Sequence, residues 1–140
     1  MAKMIEVKLH RLTCEFAEVA GESLVVSGAF TVFTFDDPSV ISETKVIFDF
    51  PDGPVRLRKA ESVAINRDAR VTVSTPSSDP ASFGAFNMTF GGSLDGLGTQ
   101  LQTLDSNQLI LPDPQMWRFY FGRNERIVRA DISVHFVHPL

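Results

Sequence analysis

Cysteine is almost absent from this 140-residue sequence: Cys14 is the only one, so no disulfide can form within the chain. A chain of this length buries roughly 68–70% of its unfolded surface, which supports one hydrophobic core without disulfides or a structural metal. Cys14 lies in a run of alternating apolar residues and is interpreted as a small buried hydrophobe. We therefore predict a single domain over residues 1–140, with no metal site and no cofactor.

Positive charge is also scarce, since 13 Lys and Arg face 17 Asp and Glu, for a net charge of −4. Duplex nucleic acid binding relies on a basic face that releases counterions, so this balance disfavours nucleic acid as a partner. The first residues, Met1–Glu6, lack the apolar stretch of a signal peptide, and no run approaches the ~20 apolar residues of a membrane span. The sequence therefore predicts a cytoplasmic protein with no membrane partner.

Helical periodicity is missing as well, while alternation of apolar and polar residues extends along most of the chain. Short alternating runs separated by turn residues every 8–12 positions are typical of sandwiches and barrels. Without helices to cover them, the sheets must pack on each other to bury their apolar sides. We predict an all-β fold, an antiparallel β-sandwich that is jelly-roll-like, with a closed β-barrel as the alternative.

Several positions carry more local information. The alternation changes phase between Leu9 and Leu12, which predicts a bulge near Arg11. The segment 23–35 is apolar on both faces and predicts one central strand, with Gly28 at a bend or a close backbone approach. The remaining segments are interpreted as a turn at Asn66–Asp68 between two short strands, a flexible hairpin connection at Gly91–Gly98 and a weak strand at Gln108–Leu111.

The polar face of the last strand is the first place where chemistry is expected. Asp131, Ser133 and His135 recur at every second position and point to one side, together with Arg129. If the chain ends pair, His10 joins that side. Residues two apart on a strand stand roughly 6.6–6.8 Å apart, whereas a nucleophile and its base need about 2.6–3.2 Å, which favours a solvated sheet face over a triad.

An enzyme reading remains the alternative. It is a small β-barrel enzyme, a hydrolase, isomerase or cyclase, that uses His10, Asp131 and His135 in general acid–base catalysis from a lumen. A metal held by His10 and His135 across paired strands is a weaker alternative, because His135 and His138 lie on opposite faces of a strand. The acidic turns at Asp36–Asp37 and Asp49–Gly53 are interpreted as turn chemistry rather than as calcium sites.

A second candidate site is the aromatic strand that begins at Met116. Trp117 faces one side of this strand and Arg118 and Tyr120 face the other, with all three as ligand-binding candidates for a carbohydrate or a small anion. Burial of Trp117 in the core is the structural interpretation of the same pattern. A local excess of positive charge follows in the sequence, which predicts an anion-binding patch formed by Arg118, Arg123, Arg126 and Arg129 against Glu125.

No arrangement of nucleophile, base or metal ligands dominates, while aromatic residues and strand edges are plentiful. The leading hypothesis is a non-catalytic β-sandwich module that binds a ligand or partner or assembles into a homo-oligomer, because open edges need covering. Recognition of nucleic acid through the arginine cluster is a third and weaker hypothesis.

Overall fold

The computed structural model describes residues 2–17, 23–37, 40–50, 55–74, 87–105, 114–123 and 125–137. These residues form ten β-strands in chain order. Their bounds are β1 Ala2–Phe16, β2 Ser23–Val26, β3 Gly28–Asp37, β4 Val40–Asp49, β5 Val55–Arg58, β6 Ser62–Ser74, β7 Asn87–Leu94, β8 Gly98–Asp105, β9 Gln115–Arg123 and β10 Arg126–Val137. The predicted strand at Gln108–Leu111 and the turn at residues 51–54 lie outside the described residues.

The ten described strands form two four-stranded sheets and a two-stranded one. The strand orders are β6-β1-β10-β9 in the first sheet, β4-β3-β7-β8 in the second and β2-β5 in the small one. Every pairing is antiparallel, and the pairing of β1 with β10 and of β3 with β7 makes the chain cross between sheets, as in jelly-roll sandwiches. The predicted β-sandwich is confirmed. Within the described ranges the end strands of each large sheet do not pair with each other, so the sheets stay open and the alternative of a closed barrel is wrong.

The core lies between the two large sheets, where the alternating apolar residues of both meet. The side chains of Ile5, Leu9 and Leu12 from β1 are fully buried, as are Val128 and Ile132 from β10. Aromatic rings join the sheets, since Phe30 of β3 meets Phe121 of β9 edge to face with ring centroids 5.6 Å apart. Burial of these apolar residues is the dominant favourable contribution to folding.

Two sequence predictions about strand continuity are wrong. The run predicted as one strand breaks at Ser27, so that β2 pairs with β5 while β3 becomes a central strand of the second sheet. Gly28 does mark a close approach, because a Cβ atom there would overlap the carbonyl oxygen of Ser93. Conversely, Asn66–Asp68 is no turn: it lies inside the continuous strand β6, where Asn66 takes a left-handed φ of 52°. Asparagine tolerates that conformation better than most residues do, so the strand bends without ending.

The glycine-rich segment also differs from its prediction. Gly91 and Gly92 are buried inside β7 rather than exposed in a flexible loop, and only Asp95–Leu97 form the turn to β8. The hairpin connection itself is confirmed. Neighbouring atoms pack so closely against Gly92 that only glycine fits there, since a Cβ would lie 2.5 Å from a ring carbon of Phe30.

Candidate functional site

The two chain ends pair and bring the polar residues of β1 and β10 onto one outer face. Glu6 lies opposite His135, and Lys8 lies opposite Ser133 in this register. On β10 the even-numbered apolar residues face the core. The odd-numbered polar residues of β10 therefore point away from the second sheet. The ends do pair, so His10 joins the polar side of the last strand, and we call this polar side of the sheet β6-β1-β10-β9 the charged face.

A bulge in β1 shapes the charged face. Leu9 pairs with Ile132 and Arg11 with Asp131, so His10 is an extra residue against β10. The register of β1 against β6 shifts at the same place. His10 and Arg11 therefore both point outward, as the phase change predicts, and they line a depression of about 350 Å³ together with Ser62, Ala64 and Asn66.

Asp131 is the centre of the ion pairs on this face. Its Oδ1 lies 3.3 Å from Nε of Arg129 and 3.6 Å from Nε of Arg118, and its Oδ2 lies 3.8 Å from Nε of Arg11. The residue is only 7% exposed, because the long arginine side chains lie across it. Arg129 also donates to Glu15 at 2.7 Å. Among the described residues, neither Asp131 Oδ1 nor Arg129 Nε makes a hydrogen bond, so the contacts of Asp131 are electrostatic.

The catalytic candidates do not assemble as a triad requires. Ser133 contacts His10, with 2.7 Å between Oγ and Nε2, and not His135 on its own strand. No hydrogen bond or ion pair between described residues joins any two of His10, Asp131 and His135. A serine–histidine catalyst needs a third group to orient the imidazole. The carboxylate that would serve, Asp131, is engaged by arginines instead.

The protonation of His10 follows from its surroundings. Burial, followed by the positive charges of Lys8 and Arg11, lowers the pKa of His10 from its ordinary value of 6.5. The lowered pKa favours the neutral imidazole, and one hydrogen bond joins its Nε2 to the Ser133 hydroxyl, with either group donating according to the tautomer. This pair fixes β1 to β10 across the bulge.

The three ligand-binding candidates on β9 fall on two sides of the sheet. Trp117 faces the interior, where its ring meets Phe90 of β7 edge to face with centroids 6.1 Å apart. Arg118 and Tyr120 lie on the charged face and are exposed. A flat ligand on that face therefore meets Arg118 and Tyr120 but not Trp117.

A wide concavity between described residues lies at the end of the sandwich, where the β7–β8 and β9–β10 connections come close together. Its volume is about 1030 Å³, and we call it the turn cleft. One wall is the β7–β8 turn and the other is the β9–β10 turn; the lining residues are Gly96, Leu97, Gly98, Gly122, Arg123, Glu125 and Arg126. A smaller depression of about 270 Å³ adjoins it, lined by Ser23, Leu24, Val25, Asp95, Gly96, Leu97 and Arg126.

Glycine shapes both walls of the turn cleft. Gly96 and Gly98 have φ values of 76° and 100°, which place them in the left-handed region that favours glycine. Gly122 has a φ of 100°, and a Cβ atom there would overlap the carbonyl oxygen of Arg126. Gly96 and Gly98 are exposed on the cleft lining, and Gly122 is half-buried there.

The predicted arginine patch divides into two groups. Arg118 and Arg129 surround Asp131 on the charged face, whereas Arg123 and Arg126 line the turn cleft with Glu125. Sequence reasoning grouped the four by proximity along the chain. It did not predict that the glycine turn after β7 would lie close to Arg123 and Arg126, although Gly96, Gly98 and Gly122 are turn signals in the sequence.

No group of three His, Cys, Asp or Glu side chains that could hold a metal ion occurs within the described ranges. Asp36 and Asp37, interpreted from the sequence as part of a turn, are the last residues of β3, and their side chains lie outside the described residues, as do residues 51–53. The described residues also include no helix that is long and apolar enough to cross a membrane.

No protein-family model and no curated protein matches the sequence. Among solved structures, the C2A domain of plant Extended Synaptotagmin 1 is similar, with a TM-score of 0.50, 10% identity and coverage of 99% of this chain and 96% of that chain. The fold is similar to that of a C2 domain. Human GIVD cytosolic phospholipase A2 matches with a TM-score of 0.46 and 9% identity, over 99% of this chain and 18% of that one. At such low identity the likeness to the C2A domain concerns the fold alone, a β-sandwich.

Proposed function

We propose that this chain is a non-catalytic β-sandwich module that binds a small anionic ligand in the turn cleft. The observation that carries the proposal is the presence of two arginine residues, Arg123 and Arg126, on the lining of one cleft of about 1030 Å³. Small-molecule sites typically occupy about 300–1,000 Å³, so the size suits a small ligand. Arginine presents a planar fork of donors that matches carboxylate and phosphate oxygens.

The glycine turns add to this chemistry. At Gly96 and Gly98 nothing lies within 4 Å of the position that a Cβ would take, so a ligand can approach the backbone of this turn closely. Glu125 offsets one of the two positive charges, which favours a compact ligand over an extended polyanion. The net charge of −4 on the whole chain supports the same preference, because it opposes non-specific binding of nucleic acid.

The absence of a converging acid–base set supports a binding role. Among the described residues His10 contacts Ser133, Asp131 contacts three arginines and His135 lies opposite Glu6. The enzyme alternative placed these groups in the lumen of a closed barrel, which the open sheets do not form. The charged face instead holds β1 and β10 together through its ion pairs and the His10–Ser133 contact.

The test is thermal unfolding with inorganic phosphate and with citrate. A ligand present at about 100 times its Kd stabilises the folded state by about 2.7 kcal/mol, which raises Tm by several degrees. We expect this rise in the wild type and its loss in Arg123→Gln. Arg67→Gln is the matched control, because it makes the same charge change on β6, outside the cleft. No rise in the wild type, or an equal rise in both variants, would overturn the proposal.

Self-association is a second candidate function, favoured by the outer side of β9. Met116 and Tyr120 are 59% and 49% exposed and flank Arg118 on the terminal strand of its sheet. Tyr, Met and Arg are the residues enriched at protein interfaces. We propose that this row forms a homo-oligomer contact, which Tyr120→Ser weakens. Sedimentation velocity over a wide concentration range tests it, and a monomer at every concentration would count against it.

A further inference from the structure

The turn cleft continues into the smaller depression, and the two differ in chemistry. Gly96, Leu97 and Arg126 belong to both, so one ligand can extend from the first into the second. The next step rests on the proposed function, because it assumes that an anionic group binds at Arg123 and Arg126. The smaller depression would then receive the part of the ligand that lies beyond the anionic group.

The smaller depression carries a carboxylate that the fold holds in place. Ser27 donates its hydroxyl to Oδ2 of Asp95 at 2.8 Å, and the backbone N–H of Asp95 donates to the carbonyl oxygen of Ser27 at 2.8 Å. These two bonds fix Asp95 on the rim of the depression and leave it further acceptor sites, since a carboxylate offers about four lone pairs. Ser23 also belongs to the lining of this depression.

Apolar residues also lie on the lining of the smaller depression, where Val25 and Leu97 offer side-chain surface and the neighbouring Leu24 points into the core. Leu24 is buried, Leu97 is half-buried and Val25 is 46% exposed, all on the lining of the same depression. A second anionic group of the ligand would be repelled by Asp95 and would find no cation among these residues except Arg126. Hydroxyl groups, by contrast, donate to carboxylates, and the carbon skeleton of a polyol packs against leucine and valine.

We propose that the two concavities together bind a phosphorylated sugar or a related phosphorylated polyol. The phosphate lies against Arg123 and Arg126, and the hydroxyls donate to Asp95, with Glu125 as a further acceptor. The same chemistry occurs in free sugar phosphates and in the headgroups of phosphorylated inositol lipids. Both sources therefore have an arm in the experiment.

Isothermal titration calorimetry with inorganic phosphate, glucose and glucose 6-phosphate tests the inference. We expect glucose 6-phosphate to bind at least about ten-fold more tightly than phosphate, because one or two added hydrogen bonds are worth about 1.4 kcal/mol. Asp95→Asn should reduce the affinity for glucose 6-phosphate to nearly that for phosphate without weakening phosphate binding. Asp68→Asn makes the same charge change on β6 and should leave both affinities unchanged.

The outcomes separate this inference from the proposed function. If phosphate binds and glucose 6-phosphate binds no more tightly, or if Asp95→Asn has no effect, the polyol site is wrong and the anion site stands. If neither binds, both are wrong. In the lipid arm, vesicles with phosphatidylinositol 4-phosphate that bind the wild type and are displaced by glucose 6-phosphate support a lipid source. Vesicle binding that Arg123→Gln leaves unchanged counts against the inference.

Discussion

Replacing Gly91 by alanine should cost far more stability than the same change at Gly96, although the two lie in one glycine-rich segment. Gly91 is buried in β7 with a φ of 153°, and a Cβ there would overlap the carbonyl oxygen of Gln100 and lie 2.9 Å from Cα of Leu101. Both obstacles are backbone atoms of the paired strand β8, so the clash cannot be relieved by rotating a side chain. At Gly96, with a φ of 76°, a Cβ meets nothing within 4 Å.

The two costs can be worked out separately. Overpacking costs about 1–3 kcal/mol, and an L-residue in a sparsely populated backbone region adds about 1–3 kcal/mol, so Gly91→Ala should lose about 4 kcal/mol. Gly96→Ala bears only the left-handed cost, about 1–2 kcal/mol. The difference of about 2–3 kcal/mol corresponds to a Tm difference of roughly 10 °C for a domain of this size.

Urea unfolding followed by fluorescence measures the difference directly. Trp117 is the only tryptophan, and its ring contacts Phe90, the residue before Gly91, so its emission reports the loss of this packing. Linear extrapolation gives the free energy of unfolding for each variant. Equal losses in the two variants would refute the placement of Gly91 inside a paired strand and restore the flexible loop that the composition suggested.

Three further predictions concern the charged face and the core. Asp131→Asn should lower the free energy of unfolding, measured in urea, by about 1–3 kcal/mol; this is less than the ~3–5 kcal/mol lost when a fully buried pair is broken, because Arg11 and Arg118 are more than half exposed. Added salt should recover part of this loss, because it screens the repulsion between the arginines that surround position 131. A loss that salt does not change would contradict this account. His10→Gln should flatten the pH dependence of stability. As pH falls, the imidazole of the unfolded chain, with its ordinary pKa of 6.5, takes up a proton before the imidazole of the folded protein does. The stability of the wild type therefore decreases as pH drops through 6.5 towards the lowered pKa of the folded state. Parallel stability curves for the two proteins from pH 8 to about 5 would disprove this. Cys14 should resist a thiol reagent in the native protein and react once it unfolds, because burial, followed by the charges of Glu15 and Glu61, raises the pKa of its thiol; rapid native labelling would show the reverse.

Much of the fold was accessible from the sequence because strand alternation is a local property. The phase change between Leu9 and Leu12 placed a bulge at Arg11, and the bulge turns His10 and Arg11 to the same side. The faces of β9 were also correct, with Phe119 and Phe121 buried and Arg118 and Tyr120 exposed. A period of two depends only on the direction of successive Cβ atoms, so it needs no knowledge of the partner strand.

The errors arose where a partner strand decided the outcome. Asn66 was interpreted as part of a turn, yet pairing of β6 with β1 on both sides of it keeps the strand continuous. Gly91 and Gly92 have the composition of a loop, but pairing of β7 with β3 and β8 buries them. Glycine permits both environments, and its composition alone does not distinguish a turn from a position where backbones meet closely.

The sequence by itself determined that the chain forms antiparallel strands with one apolar side, that the last strand presents its polar residues together and that Cys14 is buried. Only the tertiary structure decided that Ser133 meets His10, 123 positions away, instead of His135. It likewise decided that three arginines surround Asp131 and that two hairpin turns face each other across the turn cleft. Such contacts depend on strand order, which is set by packing between residues far apart in the chain, and alternation along a single strand carries no information about it.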